Sequence, residues 1–550
     1  MEQNANDMIE IDLREIFEKD GYPDTVIFGH ALAGNLHFMF NQDFGSESEV
    51  KKYSKFMDDI AELVVAKYDG SLKAEHGTGR NMAPYVEKEW GSQAYALMKE
   101  VKQIFDPKGI LNPGVILNDN HKAHIQNLKP CPDVKESINK CMECGFCEGG
   151  CVAEGLTLSP RQRVASFREM ERLKATGEAP HIAAEMQKQY KYWGMDTCAT
   201  DSLCAMKCPV KVDTGKLVKE LRHARHSEKA EQNAIKIASN MDTVTAGLRA
   251  GLNITYAMRV AMGKKVFGTL ALAARKITCG AIPMWNEHFP KAAHKITYSS
   301  VEPADVAPAG TVVYFPSCII RSMGVSKAYS NELEITRLTE KLLLKAGYKV
   351  VYPDNLNKLC CGMAFSSKGY VEAGKKASDE LQAALMKASE NGKHPVLCDM
   401  SPCLYTMRSN MEGSPLELND LGEFILKYLV GKLKIKKLDK RVAVFAVCST
   451  KKMGTANMLY EVAKLCAKEV TVIESNCCGF AGDRGFNLPQ LNTHGLRMLR
   501  SQVEGTLADG TKVSPCVEGY ASSRTCEIGL SRNSGITFKS ILYLLDEASE

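Results

Sequence analysis

The chain has 550 residues, 45% of them apolar and 25% charged, the balance of a globular protein long enough for roughly three to five domains. A net charge of +5 is too small over this length to argue for nucleic acid or for a membrane surface, and no basic stretch is interleaved with aromatics. The most apolar run, VFGTLALAA at 266–274, is about half of the ~18 residues that a membrane-spanning helix needs. The acidic N-terminus has neither a signal-peptide nor a transit-peptide pattern. The expectation is a cytoplasmic chain without a transmembrane segment, with peripheral attachment at the inner face of a membrane left open.

In chain order, residues 1–20 read as a helical docking element or a frayed terminus. VIFGHALAGNLHFMF (26–40) then reads as two apolar strands joined by a loop of small residues, with His30 ending the first strand and His37 inside the second. DGSLKAEHGTGR (69–80) sets Glu75 beside His76 in a Gly-rich turn. Two histidines and a carboxylate suit an open metal site, although strand histidines are more often packed or exposed without a role.

GHALAGNLHF, GSLKAEHGTG and FDPKGILNPG, in that order, resemble the C-terminal part of FAD-linked oxidases of the D-lactate and D-2-hydroxyglutarate dehydrogenase type. The resemblance implies an incomplete ferredoxin-like α+β substrate domain over 1–120. It implies a divalent metal, zinc being the expected ion, held by His30, His37 and Glu75. It implies that His76 takes the substrate's hydroxyl proton as hydride leaves for FAD, and that Asn112 lies close to the flavin. It further implies a flavin-binding half outside these 550 residues, on a separate polypeptide or on a missing N-terminal portion.

The strongest signal comes next. CMECGFCEGGC (141–151) has the spacing C-x2-C-x2-C-x3-C, and CATDSLCAMKCP (198–209) repeats it with Asp201 in the second place. This is the spacing of two-cluster ferredoxins, in which the fourth cysteine of each run serves the other cluster. The first [4Fe–4S] cluster would take Cys141, Cys144, Cys147 and Cys208. The second would take Cys151, Cys198 and Cys204, as a [4Fe–4S] cluster with Asp201 as ligand or as a [3Fe–4S] cluster without it; a surface turn is the plain alternative for Asp201. Zinc is the competing reading of the cysteines, but a second run far along the chain suits cubes better than closed tetrahedra. This ferredoxin-like domain is expected over 121–225, with helices at 157–197 and 214–275 and a helical linker over 226–305.

The C-terminal half repeats itself. TVVYFPSC ends at Cys318 and RVAVFAVC at Cys448; each is followed by a helix, a strand, a CCG triplet (Cys360–Cys361–Gly362, Cys477–Cys478–Gly479) and a closing cysteine, Cys403 or Cys526. Strand–helix–strand order predicts tandem α/β units with parallel sheets over 306–435 and 436–550, cysteines lying at strand ends. Both halves resemble the cysteine-rich CCG domains of heterodisulfide reductase and glycolate oxidase iron–sulfur subunits. The resemblance implies that Cys318, Cys360, Cys361 and Cys403, and Cys448, Cys477, Cys478 and Cys526, hold a further iron–sulfur cluster or face an electron acceptor. Cys398 has no counterpart in the second half. Cys131, Cys279, Cys466 and Cys516 fall outside every pattern and read as small buried apolar residues.

The order of the three parts resembles the C-terminal portion of fused D-lactate dehydrogenases. What it implies is oxidation of a small D-2-hydroxy acid, D-lactate to pyruvate first among them, with electrons leaving FAD through the 4Fe–4S clusters for a quinone, cytochrome or other carrier. The alternative is an iron–sulfur electron-transfer subunit without substrate chemistry of its own, of the glycolate oxidase or heterodisulfide-reductase type.

Overall fold

A computed structural model describes residues 2–73, 75–128, 134–280, 282–304 and 306–549, the backbone only for 2–7 and Ala31. Cys131 lies outside the described residues. The chain divides into two compact units, one of Met1–Gly145, Val164–Met186 and Pro209–Val212, the other of Phe146–Arg163, Gln187–Cys208 and Asp213–Glu550. Among the described residues no helix is long and apolar enough to cross a membrane.

In the first unit, helices Glu2–Lys19 and Glu47–Glu62 pack on an antiparallel strand pair, Val26–His30 and Asn35–Met39. Ser46 starts the second helix by accepting the Glu49 amide N–H, and Glu47 and Glu49 place negative charge at its N-terminus. Tyr53, Phe56, Met57 and Ile60 recur at helical spacing and are buried with Leu13 and Phe17. The N-terminal helix is therefore anchored in a core, not frayed. The strand register pairs Phe28 with His37 and His30 with Asn35, so these four residues share one face of the sheet.

The second unit contains the repeat as two parallel sheets. In the first, Tyr348–Val351, Gly310–Phe315, Val396–Cys398 and Leu418–Asn419 lie side by side in that order, and Ser300–Val301 adds an antiparallel edge. In the second, the order is Ala467–Val472, Leu438–Val444, Glu518–Ala521 and Phe538–Ser540. Numbered within each repeat, both sheets run 2-1-3-4. Val312, Val313, Tyr314 and Phe315 are all buried, as expected of a parallel strand covered on both faces. The mixed α+β and α/β architecture expected from the sequence is the one found.

The stretches read as helical hold helices Pro160–Thr176, Pro180–Tyr190, Thr214–His223 and Glu228–Ser239, and a helical span Met241–Ile277 that breaks at Gly263, whose φ is 75°. Cys466 and Cys516 are buried, but Cys279 is exposed, which corrects its reading as a core residue. It sits just past the end of the Met241–Ile277 span with φ at 49°, where Gly280 N–H closes the helix on the Arg275 carbonyl at 2.9 Å.

Candidate active site and cysteine centres

The hairpin face carries the first site. His30 Nε2 and His37 Nε2 each lie 3.2 Å from Glu75 Oε1. The donor atoms of the three side chains all fall within 4.8 Å of one another. The second Glu75 oxygen accepts from Asn35 Nδ2 at 2.8 Å, and Asn35 Oδ1 accepts the His30 amide N–H at 3.0 Å. The cross-strand partner thus orients both a histidine and the carboxylate. Desolvation pushes the Glu75 carboxyl up, but the Asn35 amide and the two imidazoles outweigh it and hold it below its ordinary range. His37 Nε2 is shielded from water, yet its contact with Glu75 lacks the alignment of a hydrogen bond. His30 Nε2 does make a hydrogen bond with Glu75 Oε1, but His37 Nε2 is left without one, and three donors converging in this way fit a shared divalent cation.

His76 stands beside this triad, its ring centroid 4.8 Å from that of His37 and its Nε2 3.6 Å from Glu75 Oε1. Its side chain and that of His30 are 68% and 64% exposed, so the site opens outward. Asn112 is exposed in a turn with φ at 42°. The same turn is tied to the His76 loop by the Ile116 amide N–H, which donates to the Gly79 carbonyl at 3.2 Å. Asp106 fixes the segment before it by accepting the Ile110 and Leu111 amide N–H groups, each at 2.8 Å.

Of the residues expected at the first ferredoxin cluster, Cys141 and Cys144 belong to the first unit and Cys147 and Cys208 to the second. Those expected at the second cluster lie together in the second unit. Cys151 Sγ receives the Ala153 amide N–H at 3.4 Å and Arg163 Nη1 at 3.5 Å; Cys198 Sγ receives the Thr200 amide N–H at 3.4 Å. Cys204 Sγ lies 3.5 Å from Thr214 Oγ1, and burial pushes its thiol up to about 12. Asp201 is not a surface turn. Burial pushes its carboxyl up against the opposing pull of the Cys477 thiol, and its Oδ2 is wholly enclosed.

Each C-terminal repeat gathers four cysteines at the carboxyl ends of its strands, next to its central strand, where open α/β sheets place ligands. Contacts run in a chain: Cys318 to Cys360 to Cys361 to Cys403, and Cys448 to Cys477 to Cys478 to Cys526. Cys478 and Cys526 sulfurs are 3.2 Å apart. The neighbouring thiol first, and burial second, push Cys318 and Cys448 well above the ordinary thiol range. Cys398 is buried near Cys403, its thiol turned to the Met400 carbonyl at 3.6 Å.

Glycine explains the triplet. Gly362 has φ at 83° and Gly479 at 68°, and a Cβ would fall 2.2 Å from the Gly374 carbonyl oxygen and 2.4 Å from that of Leu491. Their amide N–H groups point back at Cys360 Sγ (3.5 Å) and Cys477 Sγ (3.4 Å).

Three fixed cations beside these sulfurs were not legible as site residues. Arg163, buried, contacts Cys151 and donates to the Gly194 carbonyl at 2.8 Å. Arg321, also buried, donates to the carbonyls of Leu356, Leu359 and Pro316. Lys451 donates to the Ser475 carbonyl and to that of Asn476 at 3.0 Å. Arg321 and Lys451 stand three residues after Cys318 and Cys448 and grip the loop before each triplet, a parallel that the repeat itself contains. Enclosed sulfurs, amide N–H groups aimed at them and an adjacent cation suit thiolates bound to an anionic iron–sulfur group. Among the described residues His30, His37 and Glu75 are the set of three donors converging tightly enough for one ion.

Residues 5–116 match the family described as FAD linked oxidases, C-terminal domain, and residues 312–408 match the cysteine-rich CCG domain. Similar curated proteins include a D-2-hydroxyglutarate dehydrogenase of Haemophilus influenzae, 26% identical over 266 residues, covering 39% of this chain and 26% of that protein. The glycolate oxidase subunit GlcD of Bacillus subtilis is 37% identical over 87 residues (16% of this chain, 18% of that one), and a D-lactate dehydrogenase of Anaerostipes hadrus is 36% identical over 89 residues (16% and 19%). The chain thus spans about a quarter or less of the length of these relatives. Residues 5–116 are thus similar to the C-terminal domain of FAD-linked oxidases and residues 312–408 to a cysteine-rich CCG domain.

Proposed function

We propose that this chain takes part in the oxidation of a small D-2-hydroxy acid, D-lactate to pyruvate first among the candidates, and carries the electrons away through iron–sulfur clusters. The observation that carries the reading is the open triad of His30, His37 and Glu75 with His76 at its edge. A divalent metal held there, zinc being the expected ion, would polarise the substrate hydroxyl, and FAD from a flavin-binding portion outside residues 1–550 would accept the hydride. Asn35 keeps Glu75 turned toward the two imidazoles. His76, free in the Gly-rich turn and close to the same carboxylate, takes the hydroxyl proton. Asn112, in the turn tied to the His76 loop, faces the flavin.

The outgoing path is supported by packing within the second unit. Cys151, Cys448 and Cys477 belong to one apolar cluster with Ala153, Leu203 and Leu491. The second ferredoxin set and the second CCG quartet are thus in direct contact, and one-electron steps between them need no diffusing carrier. The two quartets would hold further iron–sulfur centres that face a quinone, cytochrome or other acceptor. The two helical segments of Met241–Ile277, broken at Gly263 (φ 75°), expose Leu248, Ile254, Met258, Val266 and Leu270 and carry six Lys or Arg residues against one Asp, a composition that suits the surface of an anionic membrane.

The test is flavin bleaching. With the flavin-binding portion added, D-lactate should reduce the flavin in the parent chain and fail to do so after His76→Ala. Unchanged bleaching in that variant would leave the chain an electron carrier without substrate chemistry.

A further inference from the structure

The two cysteine quartets match residue for residue in their sulfurs, their glycine and their fixed cation, but a carboxylate intrudes on only one of them. Asp201 comes from the second ferredoxin run and lies against Cys477, with Cys448 and Lys452 in its electrostatic reach. Oδ1 accepts the Leu203 amide N–H at 3.2 Å; Oδ2 is enclosed, and apart from the Cys477 thiol beside the carboxyl it has no hydrogen-bond partner among the described residues. At the first quartet the nearby carboxylate, Asp399, is already satisfied, accepting Tyr314 OH at 2.8 Å and the Ser317 amide N–H at 3.0 Å.

The chain around Asp201 is held at a cost. Thr200 and Ser202, on either side, have φ at 51° and 59°. That region is unfavourable for side chains other than glycine, most of all for a β-branched one. Leu203, next along, is buried in the apolar cluster with Cys477 and Leu491, which keeps the loop turned inward.

Resting on the iron–sulfur reading of the quartets, we propose that Asp201 is a fifth protein ligand of the group bound by Cys448, Cys477, Cys478 and Cys526. Its oxygen then binds one iron of that centre, and the second ferredoxin cluster keeps only Cys151, Cys198 and Cys204. Charge makes the case physical. Once Cys477 binds as thiolate, a carboxylate beside it would be a second anion shut away from water, and such a pair is sustained only by a cation held in common. An oxygen donor is harder than sulfur and makes that iron chemically distinct from its neighbours. The class of ligand is a polynuclear iron–sulfur group with one oxygen-bound iron.

The experiment uses the full chain, loaded anaerobically with iron and sulfide and reduced with dithionite, and compares low-temperature EPR spectra together with iron and sulfide content. Cys477→Ser and Cys198→Ser identify the components that belong to the quartet and to the ferredoxin cluster. Asp201→Asn is close in shape and keeps an oxygen for the Leu203 N–H, so the loop survives. The expected result is that Asp201→Asn shifts or removes the component that Cys477→Ser removes and leaves the Cys198→Ser component unchanged. A change confined to the ferredoxin component, or no change in either, overturns the proposal while the quartet reading stands. If Cys477→Ser itself removes nothing, the iron–sulfur reading of the quartet falls, and this inference with it.

Discussion

Replacing Gly362 with alanine tests how the CCG triplet is built. The substitution puts an L side chain at φ 83°, a cost of about 1–2 kcal/mol. The new Cβ would also sit 2.2 Å from the Gly374 carbonyl oxygen, far inside contact distance, and forcing two packed backbone segments apart adds about 1–3 kcal/mol. The total is about 2–5 kcal/mol. Gly413 is the matched control, with φ at 79° and no heavy atom within 4 Å of its ideal Cβ. Gly413→Ala should therefore show the conformational cost alone. At about 2.1 cal/mol/K of unfolding entropy per residue, a unit of the size that holds Gly362 shifts by about 1 °C per kcal/mol, so the excess for Gly362→Ala is roughly 1–4 °C in the calorimetric transition of the cluster-free chain. Equal shifts in the two variants would refute the claim that close backbone approach, not φ alone, requires this glycine.

Glu518 accepts Tyr520 OH at 2.6 Å, Lys539 Nζ at 3.0 Å and Lys440 Nζ at 3.1 Å. Burial alone would raise its carboxyl, but these partners hold it down to about 2, below its ordinary 4.5. Its contribution is full above about 4.5 and fades as pH falls toward about 2, so Glu518→Gln should destabilise by about 1–3 kcal/mol in urea titrations at pH 7 and by little near pH 2. His37→Ala removes the shielded member of the triad and should lower bound divalent metal, measured by mass spectrometry, more than tenfold at equal protein. The basic helical span Met241–Ile277 should sediment the chain with anionic phosphatidylglycerol vesicles and not with phosphatidylcholine, and Leu270→Glu with Val266→Glu should weaken that binding.

Local signals survived best where chemistry fixes spacing. The CCG triplets and the strand–loop–strand around His30 and His37 were legible because each depends on residues close in the chain. The parallel sheets followed from alternating strands and helices, and the repeat predicted the second sheet from the first; their 2-1-3-4 order was not legible. Long-range placement was not legible. Arg163 reaches Cys151 from a helix whose pattern is that of ordinary amphipathicity. Asp201 was readable by position as a ferredoxin ligand or a turn residue, and only packing against residues more than two hundred positions away sets it beside Cys477. Cys279 misled because a lone cysteine carries no periodic signal, and burial is merely its commonest fate.

The central claim is that clustered sulfur is wired to iron. An anaerobically isolated chain should contain iron and acid-labile sulfide in similar amounts, and dithionite should produce EPR signals from more than one centre. A chain carrying zinc in place of iron at its cysteines, without sulfide and EPR-silent on reduction, would contradict the account.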